Sequence, residues 1–322
     1  MYIKVNKKGG RRMKELLLYG AGRRGKKVAD ILGKKGVTIA GFLDSNKTGE
    51  IMVGEGEYKI FSPDSINLND YRIMITIMDP QEVLNVKKRL GNAEIVTIEE
   101  ALNYHNSLGV VENSRNYIAD YHKDNMEGYY EEAESEDSLD VFWNKDSEFY
   151  KMFSSLDLDC VIELACGRGR HVGQYIEKAN KIVLVDIVEK NIAYCKERFS
   201  GEEKIEYYVN NGFDLSQLES NFYSALFTYD AMVHFEMLDI FGYLKETQRV
   251  LRPGGLALFH HSNNTADYRI TFSTGAGGRN YMSAQLFAYL ANRAGLKIVK
   301  QKVIDWSQKE LDCLTLVEKV RE

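Results

Sequence analysis

The sequence predicts an α/β protein with two doubly wound domains, the second built on a seven-stranded sheet. Three observations support this fold class. Apolar, strand-like runs alternate with helical segments in two separate series, the pattern of parallel α/β sheets. Each series opens with a strand that leads into a glycine-rich turn. A polar stretch separates the series, and 322 residues are enough for two domains.

Four segments follow from this organisation. The basic start of the chain lacks an apolar run, so we expect a flexible leader over residues 1–12. We expect a small Rossmann-like domain over residues 13–105 and a helical linker or lid over 106–150. The larger domain, also Rossmann-like, is expected over residues 151–322.

The first series contains an alternating set of short strands and helices. Continuous apolar runs are typical of parallel strands that are buried on both faces. In chain order, the predicted elements are a strand at Leu16–Tyr19, a helix ending at Gly33 or Gly36, a strand at Val37–Asp44, a short strand in EYKIF before a turn at Pro63, a strand at Tyr71–Met78, a helix with Pro80 in its first turn, and a closing segment AEIVTI.

The second series contains seven predicted strands. The last two are expected to form an antiparallel hairpin after the helix SAQLFAYLANRAG. The strand segments are CVIELACG, KIVLVDI, KIEYYVNNG, SALFTYD, GLALFHHSN, LKIVKQKVI and LDCLTLVEK.

The glycine-rich turn of the first series has the spacing of a dinucleotide-binding motif. The segment YGAGRRG places Gly20, Gly22 and Gly25 between a strand and a helix, and Asp44 ends the next strand. Such glycines let backbone approach a pyrophosphate, and the acid accepts ribose hydroxyls. The domain resembles short units of bacterial sugar-modifying enzymes, some of which bind nucleotide-sugars. A degenerate unit that serves as scaffold or dimer contact is the alternative.

The second series carries a more specific set of motifs. In VIELACGRGRHV, Glu163 ends a strand and glycines follow at Gly167 and Gly169. Asp186 ends the next strand, where an acid is placed to accept both hydroxyls of a ribose. The segment Asn211–Phe213 closes the third strand, where an adenine could stack on the phenyl ring.

These motifs resemble those of class I S-adenosylmethionine-dependent methyltransferases. The segments ELACGRG, LVDI, NNGFDL and LRPGG occur in the order and spacing of that family, and the resemblance covers roughly residues 142–319. It implies S-adenosyl-L-methionine as cofactor, although Asn211 stands where many members carry Asp. The implied cofactor contacts are Glu163, Ala165, Gly167, Arg168, Gly169, Asp186, Ile187, Asn211, Gly212 and Phe213.

The methyl acceptor is expected at the carboxyl ends of the same strands. A hydroxyl acceptor gains from a general base, and histidine suits that task. We predict His234 as the first candidate base and His261 as the second, with Asp230 beside them. Adjacent residues of a strand face opposite sides, so at most one of His260 and His261 should face the acceptor. The predicted substrate contacts are His260, Asn263, Arg279 and Asn280.

The aromatic residues before the larger domain have two interpretations. Tyr129, Tyr130 and Trp143 lie in segments that, in related enzymes, fold over the cofactor as a lid. Alternatively, they bury against the sheet.

The leading functional hypothesis is O-methylation of a small hydroxylated metabolite. A further resemblance, to bacterial methyltransferases of sugar and surface-polysaccharide pathways, implies a sugar or sugar-linked acceptor. N-methylation of a small amine or amino-sugar is the nearest alternative. An NAD-linked oxidoreductase and a nucleotide sensor, both using the first domain, are the alternatives from other classes.

Charge, hydropathy and cysteine spacing limit the classes of partner that the protein is expected to bind. The formal net charge of −5 argues against general nucleic-acid binding, and no apolar stretch approaches the ~20 residues of a membrane span. The four cysteines show no zinc-type spacing, so we predict no metal site and a cytoplasmic protein. The expected partner is a small-molecule substrate, and a homodimer is compatible with the sequence.

Overall fold

The computed structural model describes residues 14–101, 109–125 and 127–321. The predicted leader over residues 1–12 lies outside these residues, as does the predicted boundary near residue 105. The chain divides into two compact units, Met1–Tyr104 and His105–Glu322. Each is an α/β unit with one sheet, and the predicted fold class is confirmed.

The first unit contains a six-stranded sheet in the order β3-β4-β2-β1-β5-β6. All neighbouring strands are parallel except β3 and β4. The strands are β1 (Glu15–Tyr19), β2 (Ile39–Leu43), β3 (Gly49–Val53), β4 (Gly56–Phe61), β5 (Tyr71–Ile75) and β6 (Glu94–Ile95). The helices are α1 (Arg23–Lys34), α2 (Pro80–Leu90) and α3 (Ile98–Ala101).

The sequence accounts for most of these elements. The apolar strand β1 lies between β2 and β5, and four of its five residues are buried. Helix α2 begins at Pro80, and the Asp79 side chain caps it by accepting a hydrogen bond from the Glu82 amide at 2.8 Å. Strand β3 was not predicted: it is an edge strand with four of its five residues at least partly exposed. Strand β6 has only two residues.

The second unit contains the predicted seven-stranded sheet, in the order β12-β13-β11-β10-β7-β8-β9. Only β13 is antiparallel to its neighbours, as expected for the closing hairpin. The strands are β7 (Cys160–Leu164), β8 (Lys181–Asp186), β9 (Ile205–Val209), β10 (Tyr223–Thr228), β11 (Leu251–Ser262), β12 (Leu296–Ile304) and β13 (Asp312–Lys319).

Eight helices accompany this sheet within the described residues. Four precede it: α4 (Gly109–Asn125), α5 (Glu127–Ala133), α6 (Glu136–Trp143) and α7 (Glu148–Phe153). Four lie within the strand series: α8 (Val172–Tyr175), α9 (Glu189–Arg198), α10 (Met237–Val250) and α11 (Ala284–Arg293). In the described part of the chain, no helix combines the length and the apolar character needed to cross a membrane.

The strand order places a crevice at the carboxyl end of β7. Successive strands β8 and β9 extend the sheet to one side of β7, and β10 and β11 extend it to the other. Open α/β sheets bind ligands at such a reversal, beyond the carboxyl ends of the strands. The residues that follow β7, β8, β9, β10 and β11 therefore define the region where a site is expected.

Candidate active site

The turn after β7 is tied to the end of β8 by a carboxylate. Asp186 accepts hydrogen bonds from the Gly167 amide through Oδ2 and from the Val188 amide through Oδ1, both at 2.8 Å. Asn191 Nδ2 also donates to Oδ1, at 3.3 Å. Burial raises the pKa of Asp186 to about 6, although these donors favour the carboxylate. The three donors found among the described residues do not exhaust the carboxylate, which has about four acceptor sites, so it can also accept from a ligand.

Glu163 is a buried carboxyl with an unsatisfied oxygen. Tyr175 donates its hydroxyl to Oε2 at 2.7 Å, but among the described residues Oε1 has no hydrogen-bond partner. Burial raises the pKa of Glu163 to about 8. A buried acceptor without a donor costs about 1–3 kcal/mol, so this position fits a ligand that brings a donor such as an ammonium group.

The loop after β9 has a different local structure from the one the sequence suggested for adenine recognition. Asn211 Oδ1 accepts hydrogen bonds from the amides of Phe213 and Asp214, and Nδ2 donates to the Asp214 carboxylate. The Asn211 amide is thus engaged within its own turn. Phe213 remains 39% exposed, and Ile187 Cδ1 lies 2.6 Å from the position of a Cβ at Gly212.

Tyr129 and Tyr130, predicted as a lid, lie over the carboxyl ends of β7 and β10. The Tyr130 ring is 3.2 Å from the position of a Cβ at Gly167, and its hydroxyl accepts a hydrogen bond from Asn191. The Arg168 guanidinium is 4.6 Å from the Tyr130 ring and 4.8 Å from the Tyr194 ring. Trp143 differs: it is buried with Phe149 and Phe153, in agreement with the alternative interpretation.

Asp230 lies at the end of β10 in the left-handed region, with φ of 50°. Its Oδ2 accepts hydrogen bonds from the Tyr129 hydroxyl at 2.7 Å and from Arg170 Nη2 at 3.2 Å. Burial opposes ionisation, but Arg170, the nearby histidines and the hydrogen bond from Tyr129 together outweigh it, and the pKa of Asp230 is lowered. Asp230 is therefore a carboxylate at physiological pH. Arg279 Nη2 lies 3.9 Å from its other oxygen.

A second buried carboxylate, Asp312, was missed by the sequence analysis. Arg279 donates to it through Nε at 3.1 Å and Nη2 at 2.7 Å, and His260 Nε2 lies 3.1 Å away. The Asp230 amide donates to His260 Nδ1 at 3.1 Å, so Nε2 must carry the proton that Asp312 accepts. Arg279, His260 and Asp312 thus form one buried network beneath Asp230.

His234 has the tautomer required of a proton acceptor. Its Nδ1 donates to the Gly278 carbonyl at 3.0 Å, which leaves Nε2 with the lone pair. Asn280, another predicted site residue, donates to the His234 carbonyl at 2.7 Å. The ring packs 5.5 Å from that of His122 and 5.3 Å from that of Phe272. Burial, reinforced by His122, lowers the pKa of His234 to about 3, so the ring is neutral.

His261 and Asn263 have structural contacts. His261 is fully buried, stacks on Phe287 of α11 at 3.8 Å, and uses both ring nitrogens on Ser262 and Thr315. It faces the opposite side of β11 from His260, as the strand alternation predicts. The Asn263 side chain accepts from the Ala284 amide and donates to the Glu310 carbonyl. We therefore do not retain His261 as a candidate base.

The first unit repeats the carboxylate arrangement at its own glycine turn. Asp44 Oδ2 accepts from the Ala21 amide and Oδ1 from the Asn46 amide, both at 2.9 Å. A Cβ at Gly25 would lie 1.9 Å from the Gly20 carbonyl oxygen, so the helix packs directly on the turn. A nucleotide site at Gly20, Gly22, Gly25 and Asp44 stays a prediction.

Comparison with known proteins supports the interpretation of the larger unit. Residues 161–255 match the family model of a methyltransferase domain. The larger unit therefore contains a stretch, from β7 to the start of β11, that matches a methyltransferase domain. No curated protein matches the chain by sequence.

Several solved structures are similar to part of this chain. Phosphoethanolamine N-methyltransferase 1 of Haemonchus contortus is 18% identical, with a TM-score of 0.52, over 68% of this chain and 51% of that one. A putative methyltransferase from Listeria monocytogenes is 14% identical, with a TM-score of 0.43, over 54% of this chain and 98% of that one. The [4+2]-cyclase SpnF is 13% identical, with a TM-score of 0.47, over 58% of this chain and 82% of that one.

Proposed function

We propose that this chain transfers the methyl group of S-adenosylmethionine to a hydroxyl of a small metabolite, a sugar or sugar-linked group. The observation that carries the proposal is the neutral His234 imidazole. Its Nδ1 is fixed by the Gly278 carbonyl, and its Nε2 lone pair is available to accept the proton of a hydroxyl.

The residues present fit the cofactor. Oε1 of Glu163, which has no partner in the described part of the chain, suits its ammonium group, and the Asp186 carboxylate suits its ribose. Ile187, Gly212 and Phe213 offer apolar surface for its adenine. When bound, the cofactor supplies an electrophilic methyl group on a sulfonium centre. The protein aligns the acceptor with that group, a contribution that reaches ~7–11 kcal/mol of the barrier in favourable cases.

A weakly basic histidine is sufficient for this reaction. A hydroxyl oxygen becomes positively charged and strongly acidic as it acquires a methyl group. An imidazole with a pKa of about 3 accepts the proton from such an oxygen, and being neutral it leaves Nε2 free beforehand. His234 therefore serves as a late proton acceptor.

The charge balance around Asp230 favours a neutral acceptor. Arg170 pairs with Asp230, and Arg279 pairs with Asp312. These four side chains carry no net charge together, which suits an uncharged polyol better than a phosphorylated compound. The half-buried rings of Tyr121 and His122, which pack against the buried Phe272 beside His234, offer a surface for a sugar ring. An amine acceptor is the second candidate, because the Asp230 carboxylate could hold an ammonium group.

The experiment that tests this function begins with calorimetric titration of S-adenosylhomocysteine into the wild-type protein. A screen of sugars and amines with radiolabelled S-adenosylmethionine then identifies the acceptor. For a hydroxyl acceptor, we expect His234→Gln to lower kcat by about 10²–10⁴-fold while the Kd for S-adenosylhomocysteine stays within about twofold. Asp186→Ala, the contrasting variant, should lose cofactor binding.

Each alternative result has a defined meaning. Full turnover by His234→Gln with a hydroxyl acceptor would exclude His234 as the base. Turnover with amines alone would favour N-methylation. A folded wild-type protein that does not bind S-adenosylhomocysteine would contradict the proposed function.

The compartment, the pathway and the partners of the enzyme are part of the same proposal. We propose that the enzyme works in the cytoplasm, in polysaccharide biosynthesis, on a small-molecule substrate and without nucleic-acid or metal partners. The four buried free cysteines support a reducing compartment. Within the described residues there is no group of three or more His, Cys, Asp and Glu side chains that could hold a metal ion. The first unit would bind a nucleotide or mediate a homodimer.

A further inference from the structure

Arg115 on helix α4 is held by a carboxylate of helix α10. It forms a two-pronged ion pair with Asp239 in the first turn of α10: Nε donates to Oδ2 at 3.0 Å and Nη2 donates to Oδ1. Asp239 is 3% exposed. A guanidinium bound along one edge by a carboxylate keeps its planar faces available for stacking.

One face of this guanidinium is already stacked on an aromatic ring. Its central carbon lies 4.4 Å from the centroid of Phe213. The aliphatic part of Arg115 continues over the same loop, because a Cβ at Gly212 would lie 2.5 Å from Arg115 Cδ. The same position is 2.6 Å from Ile187 Cδ1. Arg115 is therefore packed beside Ile187, Gly212 and Phe213, the apolar surface proposed above for the adenine.

The neighbouring residue fixes the helix that carries Arg115. Ser114 donates its hydroxyl to Glu236, the residue that precedes α10, at 2.6 Å. Two consecutive residues of α4 are thus bonded to the start of α10. The guanidinium is held before any ligand arrives, so binding need not order it.

We propose that Arg115 is a further cofactor-binding residue, whose guanidinium stacks on the adenine of S-adenosylmethionine beside Phe213 and Ile187. The inference rests on the proposed function. It adds a cofactor contact from α4, a helix that precedes the seven-stranded sheet in the chain. A cation–π or stacking contact of this kind contributes ~0.5–2 kcal/mol, so its loss should weaken binding by a factor between about two and thirty.

The test compares two ligands that share the nucleoside. S-adenosylhomocysteine contains adenosine and the amino-acid part, whereas 5′-methylthioadenosine lacks the amino acid. We expect Arg115→Met to raise the Kd of both ligands by the same factor of about ten, measured by calorimetry on the full chain. The matched control is Arg252→Met, which removes an arginine paired with Asp157 and Asp159 near the amino end of the same sheet. It should leave both Kd values unchanged.

A second variant covers the risk that Arg115→Met leaves the buried Asp239 carboxylate unpaired and destabilises the unit. The double variant Arg115→Met/Asp239→Asn removes both charges, and the same tenfold loss for both ligands is expected. Unchanged Kd values in the folded double variant would overturn the proposal while the function stands. A loss confined to S-adenosylhomocysteine would also overturn it, since the contact would then belong to the amino acid. A wild type that binds neither ligand would overturn the inference and the proposed function together.

Discussion

Glu163 is the residue whose protonation state a bound cofactor should change most. With a pKa of about 8, raised by burial, the ligand-free carboxyl holds its proton at pH 7. An ammonium group beside Oε1 stabilises the carboxylate instead, so binding at pH 7 should release close to one proton. We predict that the affinity for S-adenosylhomocysteine increases as the pH rises towards 8 and then levels off.

This proton release is measured by calorimetry at pH 7 in two buffers that differ in ionisation enthalpy. The observed binding enthalpy of the wild type should differ between the two buffers by nearly the difference in their ionisation enthalpies, which corresponds to release of almost one proton. Glu163→Gln should bind S-adenosylhomocysteine more weakly, and residue 163 should no longer contribute to the difference in enthalpy between the buffers. A wild-type enthalpy that does not depend on the buffer would contradict the assignment of Glu163 to the ammonium group.

The residues fall into two groups according to how well the sequence predicts them. Glu163 and Asp186 each end an apolar strand, and strand ends at a topological reversal are where α/β ligand sites lie. Arg115, His122 and Asp312 carry no such local signal. They reach the site from α4 and β13, and only the packing of these elements shows that Asp312 lies against His260.

At the scale of elements, α4 connects the two halves of the candidate site. Arg115 contacts Phe213 in the loop after β9, and His122, two turns later on the same helix, contacts His234 after β10. The sequence predicted helical structure over residues 106–150, and the resemblance to related enzymes implied a lid there. It could not assign this face of α4, because the partners of Arg115 and His122 are more than 90 residues away in the chain.

The glycine turn of the first unit gives a prediction about packing between β1 and α1. Gly25→Ala would place Cβ 1.9 Å from the Gly20 carbonyl oxygen, whereas a Cβ at Gly22 meets nothing within 4 Å. We expect Gly25→Ala to destabilise the first unit by about 3 kcal/mol or more, and Gly22→Ala by less than about 1 kcal/mol.

Hydrogen exchange of β1 and α1 peptides measures this difference, since both tryptophans, Trp143 and Trp306, lie in the second unit. Binding of S-adenosylhomocysteine should be unchanged in both variants. Equal exchange in the two variants would contradict the close packing at Gly25. If a nucleotide binds this turn, Gly22→Ala is the variant expected to weaken it, because the open space at Gly22 is where a ligand would approach.

At the scale of the molecule, the same hydrogen-bonding arrangement occurs in both sheets. In each unit an acid at the end of the second strand accepts a backbone amide of the first glycine turn, Asp44 from Ala21 and Asp186 from Gly167. The alternation of strands and helices was sufficient to predict both sheets and the antiparallel closing hairpin. It missed β3, because an exposed edge strand buries too little apolar surface to produce a clear periodic pattern.

His261 should make the second unit less stable as the pH falls, by an amount that can be measured. Burial lowers the pKa of His261 to about 3, whereas an unfolded histidine has a pKa of about 6.5. Below pH 6.5 the unfolded chain therefore binds a proton that the native protein does not, and the free energy of unfolding falls. At pH 5 this linkage amounts to about 2 kcal/mol. Glu163 and Asp186, whose pKa values are raised, act in the opposite direction.

Comparison with a variant isolates the histidine, since the carboxyl groups are common to both proteins. His261→Gln should be less stable than the wild type at pH 7, because it loses the stacking on Phe287 and part of the hydrogen bonding to Ser262 and Thr315. The difference should shrink by about 2 kcal/mol at pH 5. Urea unfolding followed by tryptophan fluorescence reports on this unit, which contains both tryptophans. A difference that is the same at both pH values would mean that native His261 takes up a proton as readily as the unfolded chain, and that its burial among Phe287, Ser262 and Thr315 is not maintained in solution.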